Sequence, residues 1–185
     1  TITYADTLFE SILFFVKQSP SRILLLFLWL LKGRAFFKSE IASHVTLPVD
    51  TLPYNKPLIA YLKSQKAEGR RIILATGAHI SVAKAIAAHL GIFDMVLATF
   101  DERNIRGKNK LELIKQEVGD SFVYAGDSKV DIPIWEAAKA AILVGVSAKI
   151  ANKLHSDVPI EKDFRRSRAT LRTWVSALRI HQWLK

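Results

Sequence analysis

The chain has 185 residues, of which 50% are hydrophobic, and this composition suits one folded domain with a sizeable core and excludes intrinsic disorder. It contains no cysteine, which excludes a disulfide framework and a thiolate zinc site. The net charge of +10 would suit nucleic acid, but no aromatic-basic array, zinc finger or helix-turn-helix pattern accompanies it, so we predict no nucleic-acid partner.

Residues 1–53 predict a small helical cap. We expect three helices, over Asp6–Val16, Ser21–Leu31 and Phe36–His44. The second contains the uniformly apolar run Ile23–Leu31, which has nine residues, whereas a membrane span needs roughly 20. We therefore expect this helix to pack against the core or against a bilayer surface.

Residues 54–155 predict an α/β core in which strands and helices alternate. Near-continuous apolar strands, which suit a parallel sheet covered on both faces, are expected over Ile72–Ala75, Met95–Ala98, Phe122–Ala125 and Ala141–Val144. Helices are expected over Lys56–Ala67, Ser81–Leu90, Lys110–Val118, Ile132–Ala138 and Ala148–His155. This alternation predicts a doubly wound parallel sheet.

Two carboxylates follow the third of these strands. Asp127 comes directly after Gly126, and Asp131 follows four residues later, before a helix. Ligands of open α/β sheets bind at the carboxyl ends of the strands, and Mg²⁺ is held by one or two carboxylates together with phosphate oxygens. The alternative is that Asp127 caps the next helix and that Asp131 lies on its solvent face.

Other residues suited to phosphate stand upstream. Thr76 and Gly77 follow the first predicted core strand, where a hydroxyl and backbone N–H groups can bind phosphate. Lys110 opens a later helix and can neutralise a phosphoryl group, and Lys108 is a weaker candidate for that role. The strand-end Thr, the helix-start Lys and the Gly-Asp-Ser-x-x-Asp loop, in this order, resemble motifs two, three and four of the haloacid dehalogenase-like (HAD) phosphohydrolases.

This resemblance implies a HAD-like α/β fold and a Mg²⁺-dependent phosphatase that acts through an aspartyl-phosphate on a phosphorylated small molecule. It implies that Asp127 and Asp131 hold the metal, and that Asp131 also orients water or the lysine. It further implies that Thr76 and the Gly77 amide bind a phosphoryl oxygen. Lys110 would balance the charge at the nucleophile and the phosphate.

The first motif of that family, a D-x-D-G-T sequence with the nucleophile and the general acid, does not occur in the chain. Thr1 resembles its last residue. We therefore expect a fragment that begins inside the motif and lacks the first strand, or else a domain that never had the nucleophile. The chain alone should then show no phosphatase turnover and should fold poorly. Asp6, at the mouth of the cap, would either contact the leaving group or cap its helix.

Residues 156–185 predict a basic linker, over Ser156–Arg168, and the start of a membrane domain. Lys162–Lys185 contains seven Lys or Arg residues and one acid, interleaved with large apolar residues. Such a stretch suits an anionic cytoplasmic leaflet, although a solvated terminal helix is the alternative. Ala177–Lys185 resembles the opening of UbiA-type polyprenyl transferases, some of which carry a HAD-like domain ahead of the membrane part.

Three functions stay open at this point. The first is a Mg²⁺-dependent phosphatase domain at the cytoplasmic face of a membrane, fused to a prenyltransferase. The second is a catalytically silent HAD-like module that binds a phosphorylated ligand or regulates its neighbour. In the third, the activity is that of a longer parent protein, a polyprenyl transferase, and this chain is an appendage of it.

Overall fold

The structure, a computed structural model, describes residues 1–100, 105 and 107–165, in which a run of helices is followed by parallel strands that alternate with helices. The helices of this part are α1 Thr7–Gln18, α2 Ile23–Leu31, α3 Arg34–His44, α4 Lys56–Ala67, α5 Ile80–Leu90, α6 Lys108–Val118, α7 Ile132–Ala137 and α8 Ala148–Asp157. Its strands are β1 Ile73–His79, β2 Met95–Thr99, β3 Val123–Gly126, β4 Ala140–Val144 and β5 Ile160–Phe164. Short 3₁₀ turns lie at Pro20–Arg22, Val49–Thr51 and Lys129–Asp131.

The first three helices form a small unit with an apolar core of its own. Phe15 of α1 and Trp29 of α2 lie with their ring centroids 5.2 Å apart, and Ile41 of α3 is buried beside them. Asp6 begins this unit, since its carboxylate accepts a hydrogen bond from the N–H of Leu8 at 2.9 Å. The three predicted cap helices are confirmed to within two residues at each end.

β4 is the middle strand of a parallel sheet with the order β3-β4-β5. Its Ala141 and Leu143 pack into a core formed with α6, α7 and α8, whereas Ile142 and Val144 pack against Leu58 of α4. Successive side chains of a strand point to opposite faces, so helices cover both faces of this sheet. The predicted doubly wound α/β class with parallel strands is confirmed.

β1 and β2 form a second parallel sheet. Within the described residues β1 pairs only with β2, and β3 pairs only with β4, so β1 and β3 each present an inner edge. Both strands line one cavity of about 1020 Å³. This cavity lies between the two sheets.

The first residues of the chain return to the loop before α4. Thr3 forms an isolated antiparallel bridge with Tyr54, and the carbonyl of Ile2 accepts a hydrogen bond from the N–H of Asn55 at 2.8 Å. Asn55 is buried, and its side chain caps α4. These bonds hold Thr1 at the edge of the cavity.

β5 corrects the linker prediction. Ile160–Phe164 lies inside the predicted linker Ser156–Arg168 but forms a strand parallel to β4. Three of its five residues are charged, so this strand contains no apolar run from which it could be predicted. Charged side chains are common on strands at the edge of a sheet, and Glu161 is satisfied there by Arg70.

No helix of the described ranges is both long and apolar enough to cross a membrane. The predicted basic membrane-surface stretch lies outside the described residues from residue 166 onward, as does the resemblance at Ala177–Lys185. Both stay predictions.

Candidate functional site

Asp127 lies directly after β3 and faces the first residue of the chain. Its Oδ2 accepts a hydrogen bond from the Thr1 hydroxyl at 2.7 Å and contacts the Thr1 amino group. Burial acts to raise the pKa of Asp127, but the Thr1 amino group, which is charged only in a chain that begins at Thr1, the Thr1 hydroxyl and the charge of Lys110 hold that pKa below the usual range of a carboxyl group. Asp127 is therefore an anion at neutral pH, and 39% of its side chain is exposed.

Asp131 is buried, and both of its carboxylate oxygens are engaged. Oδ2 accepts hydrogen bonds from the N–H of Asp127 at 3.2 Å and from the N–H and hydroxyl of Ser128 at 3.3 and 3.2 Å. Oδ1 accepts from the Tyr124 hydroxyl at 3.0 Å and from Lys110 Nζ at 3.4 Å. The alternative of a solvent-facing Asp131 is therefore wrong. Ser128, not Asp127, caps the turn that follows.

Lys110 of α6 is the lysine that reaches these carboxylates. Its Nζ donates to the Tyr124 hydroxyl at 3.0 Å and to Asp131, and only 13% of its side chain is exposed. Burial, together with the charge and hydrogen bond of Asp131, raises the pKa of Tyr124, so the Tyr124 hydroxyl stays a donor. Lys108 is exposed at the start of the same helix. The geometry favours Lys110 over Lys108.

Gly126 is required by close packing under the loop. A Cβ atom at this position would lie 2.7 Å from Trp135 Cζ2, 2.9 Å from Tyr124 Cε1 and 3.0 Å from Asp131 Cβ. Trp135 is fully buried, and its indole N–H donates to the Tyr124 carbonyl at 3.2 Å. The glycine thus lets the strand approach the turn that ends at Asp131 and the helix that carries Trp135.

Thr76 and Gly77 lie in the last part of β1 and line the same cavity as Asp127. The Thr76 oxygen accepts a hydrogen bond from the N–H of Ala78 at 3.2 Å, which leaves its own proton available to donate. The Gly77 carbonyl accepts from Lys38 Nζ at 2.9 Å. Lys38 belongs to α3, and no motif in the surrounding sequence predicts this contact.

Asp6 also lines this cavity while it caps α1. The hydrogen bond expected if Asp6 caps its helix is therefore present, whereas contact of Asp6 with a leaving group stays a prediction. The structure brings every predicted site residue to one cavity: Asp6, Thr76, Gly77, Lys110, Asp127 and Asp131.

The donors at this cavity fit a Mg²⁺ ion bound chiefly through Asp127. Mg²⁺ prefers carboxylate and phosphate oxygens and keeps several waters, so one accessible carboxylate is a sufficient protein anchor. Asp131 is engaged by five hydrogen bonds, which suits a supporting role. The described part of the chain contains no group of three or more His, Cys, Asp or Glu side chains arranged so that they could hold a metal ion together.

One comparison with known proteins, that with family profiles, agrees with the motifs. The profile of the haloacid dehalogenase-like hydrolases matches residues 1–136. The uncharacterized protein y4nM of Sinorhizobium fredii is 33% identical over 186 residues, an alignment that covers 100% of this chain and 36% of the relative, so the chain spans about a third of that relative's length. A crystal structure of a probable phosphoserine phosphatase from Vibrio cholerae aligns with a TM-score of 0.45 and 16% identity over 83% of this chain and 49% of that one.

Proposed function

This chain belongs to the haloacid dehalogenase-like hydrolases, and we propose that it supplies the phosphate- and metal-binding part of a Mg²⁺-dependent phosphohydrolase. The observation that carries this proposal is the convergence of Thr76, Lys110 and Asp127 on one cavity from three different elements.

Each of these side chains has a distinct part in the proposed reaction. Mg²⁺, when bound, supplies positive charge that offsets the repulsion between carboxylates and phosphoryl oxygens. Asp127 would hold the ion, and the Thr76 hydroxyl and the Gly77 N–H would bind a phosphoryl oxygen. Lys110 would balance the negative charge at the reacting phosphate.

Asp131 would act as a positioning residue. Its Oδ1 accepts from Lys110, and its Oδ2 accepts from the N–H of Asp127, so one buried carboxylate fixes both the ammonium group and the start of the loop. Catalytic groups must be held close to the productive geometry by such neighbours. The buried carboxylate is itself stabilised by the Tyr124 hydroxyl.

The nucleophile would come from residues that precede Thr1 in a longer protein. Thr1 contacts Asp127, and the inner edges of β1 and β3 border the cavity, so a further parallel strand between them would end at this site. An aspartate there would attack phosphorus in line, with cleavage of the bond to the leaving oxygen. Water would then hydrolyse the aspartyl-phosphate and release phosphate.

The longer protein in this proposal is a membrane prenyltransferase with the hydrolase at its N-terminal, cytoplasmic end. The resemblance at Ala177–Lys185 supports it. A catalytically silent module that binds a phosphorylated ligand and regulates the transferase is the second candidate. It needs only the phosphate-binding side chains of the described residues, Thr76 and Lys110, which line one cavity, and no nucleophile.

Hydrolysis of p-nitrophenyl phosphate by the natural protein, including the residues before Thr1, tests the proposal. We expect Mg²⁺-dependent turnover that EDTA abolishes, and a loss of about 100-fold or more in Asp127→Asn, because the ligand that anchors the ion is removed. Asp120→Asn is the matched control, because Asp120 is an exposed carboxylate that pairs with Lys115 on the surface. Its turnover should equal that of the wild type. Mg²⁺-dependent binding of inorganic phosphate without turnover would instead support the silent module.

A further inference from the structure

The outer face of α2, defined here as Leu24, Phe27, Leu28 and Leu31, is a continuous exposed apolar surface. These positions follow the spacing i, i+3, i+4, i+7, which places them on one side of a helix. Their side chains are 56–86% exposed, whereas Trp29 on the opposite side packs into the core of the helical unit. Exposed apolar patches of this kind mark interaction sites.

Positive charge is concentrated in the segment of the sequence that contains this face. Between Glu10 and Glu40 the sequence contains no acidic residue and five cations, at positions 17, 22, 32, 34 and 38. Arg22 directly precedes α2 and Lys32 directly follows it, so each end of the helix carries a cation. The Lys32 ammonium lies 5.0 Å from the centroid of the Phe36 ring, and the Arg22 guanidinium lies 5.4 Å from that of the Phe15 ring.

We propose that the outer face of α2 docks on the surface of an anionic lipid bilayer, with the helix axis in the plane of the membrane. A nine-residue helix is about 14 Å long, far short of a span, but its apolar face can enter the boundary between headgroups and acyl chains. The flanking cations would then meet the negative surface potential of the lipids.

The same charges disfavour a second copy of the chain as the occupant. Because α2 has a cation at both ends, two copies packed through this face would bring like charges together in either a parallel or an antiparallel arrangement. Like charges placed opposite one another at an interface oppose association. None of the four residues of the outer face lines the cavity with Asp127, so the inference does not rest on the proposed hydrolase.

Co-sedimentation of the full 185-residue chain with phosphatidylcholine vesicles, with and without phosphatidylglycerol, tests the proposal. We expect binding to the anionic vesicles that falls about tenfold or more in Leu24→Ser/Leu28→Ser, because the variant removes apolar groups that enter the bilayer. Phe100→Ser, at an exposed aromatic residue directly after β2, is the matched control and should bind as the wild type does. Arg22→Ser/Lys32→Ser should weaken the preference for anionic vesicles, whereas Lys153→Ser on α8 should leave it unchanged.

The substituted side chains are exposed, so circular dichroism should show that the variants remain folded. Absence of vesicle binding by the wild type overturns the proposal. Equal binding by the wild type and Leu24→Ser/Leu28→Ser overturns it as well and assigns the membrane contact to another segment. A dimer in sedimentation equilibrium that this double variant abolishes would assign the face to a second copy and also overturn it.

Discussion

The ammonium group of Lys110 is held between the Tyr124 hydroxyl and the Asp131 carboxylate, with little exposure to water. Lys110→Met keeps the length of the side chain but removes its charge. In the natural protein we expect the kcat for p-nitrophenyl phosphate to fall by about 100-fold, because the developing charge on the phosphate loses a preorganised partner.

Lys108→Met gives the matched control for this prediction. Lys108 lies on the same helix, is exposed, and should leave kcat within about twofold of the wild-type value, since distant surface charges are screened. An equal loss of kcat in the two variants would contradict the assignment of the site lysine to Lys110.

The close packing around Gly126 gives a second prediction about a single residue. In Gly126→Ala the new methyl group would lie 2.7 Å from Trp135 Cζ2, inside a region where Trp135 is fully buried. We expect the free energy of unfolding to fall by about 2 kcal/mol, the typical cost of overpacking a core. Urea unfolding measures it, with the exposed Ser121→Ala as the control. A change of less than about 0.5 kcal/mol, within the usual range for surface substitutions, would show that the packing relaxes freely.

At the level of single residues, the sequence predicted which residue types surround the site but not how each one is used. Asp127 and Asp131 look alike in the motif, yet Asp127 is partly exposed, whereas Asp131 is buried and accepts five hydrogen bonds. Tyr124 and Ser128, which hold Asp131, became identifiable only through their contacts. Lys38 could not be predicted at all, because its approach to Gly77 depends on how α3 packs.

Among the elements, β5 is attached to the rest of the fold by a polar cluster. Glu161 accepts two hydrogen bonds from Arg70, at 2.5 and 2.9 Å, and a further bond from the Tyr61 hydroxyl of α4. Glu161→Gln should lower the free energy of unfolding by about 1 kcal/mol at neutral pH, the upper range for a partly exposed ion pair. Asp163→Asn on the same strand is the control, since its partner Arg165 has a side chain that is 90% exposed. Equal effects of the two substitutions would contradict a special role for Glu161.

The same cluster predicts a dependence of stability on pH. The hydrogen bond from Arg70 holds the pKa of Glu161 below its usual range, so the stabilisation is present above the ordinary carboxyl pKa and is lost as pH falls through the lowered pKa. Burial and the hydrogen bond to Glu161 raise the pKa of Tyr61 to about 12, so its contribution is present below the ordinary pKa of 10 and is lost as pH rises through about 12. Unfolding midpoints of the wild type and Glu161→Gln should therefore converge in acid. A gap that stays constant down to acid pH would contradict this assignment.

Secondary structure was predictable wherever burial leaves a pattern in the sequence. The apolar strands β3 and β4 and the amphipathic helices were placed within two residues of their observed ends. β1 extends further than predicted, to His79, because it continues its pairing with β2 after an irregularity between Thr76 and His79. β5 lacks an apolar run, and its pairing with β4 is a tertiary contact that cannot be predicted from composition.

For the whole molecule, the division into two sheets predicts a marginal fold. The inner edges of β1 and β3 border a large cavity instead of pairing with one another. We expect the 185-residue chain to unfold in a broad transition, and the natural protein with residues before Thr1 to have a melting temperature at least about 5 °C higher, because a strand in the cavity would pair both edges. Calorimetry of the two proteins measures the difference. A sharp transition of the shorter chain at the same temperature would contradict this prediction.

The most direct test of the proposed hydrolase is the sequence of the parent gene immediately upstream of Thr1. The structure holds Thr1 against Asp127, so residues just before it would be delivered to the phosphate site. We predict an in-frame D-x-D-G sequence directly before Thr1, which would place the nucleophile and the general acid beside Asp127 and Lys110. A start codon at or beside Thr1, or an upstream sequence without these carboxylates, would contradict a hydrolase that acts through an aspartyl-phosphate.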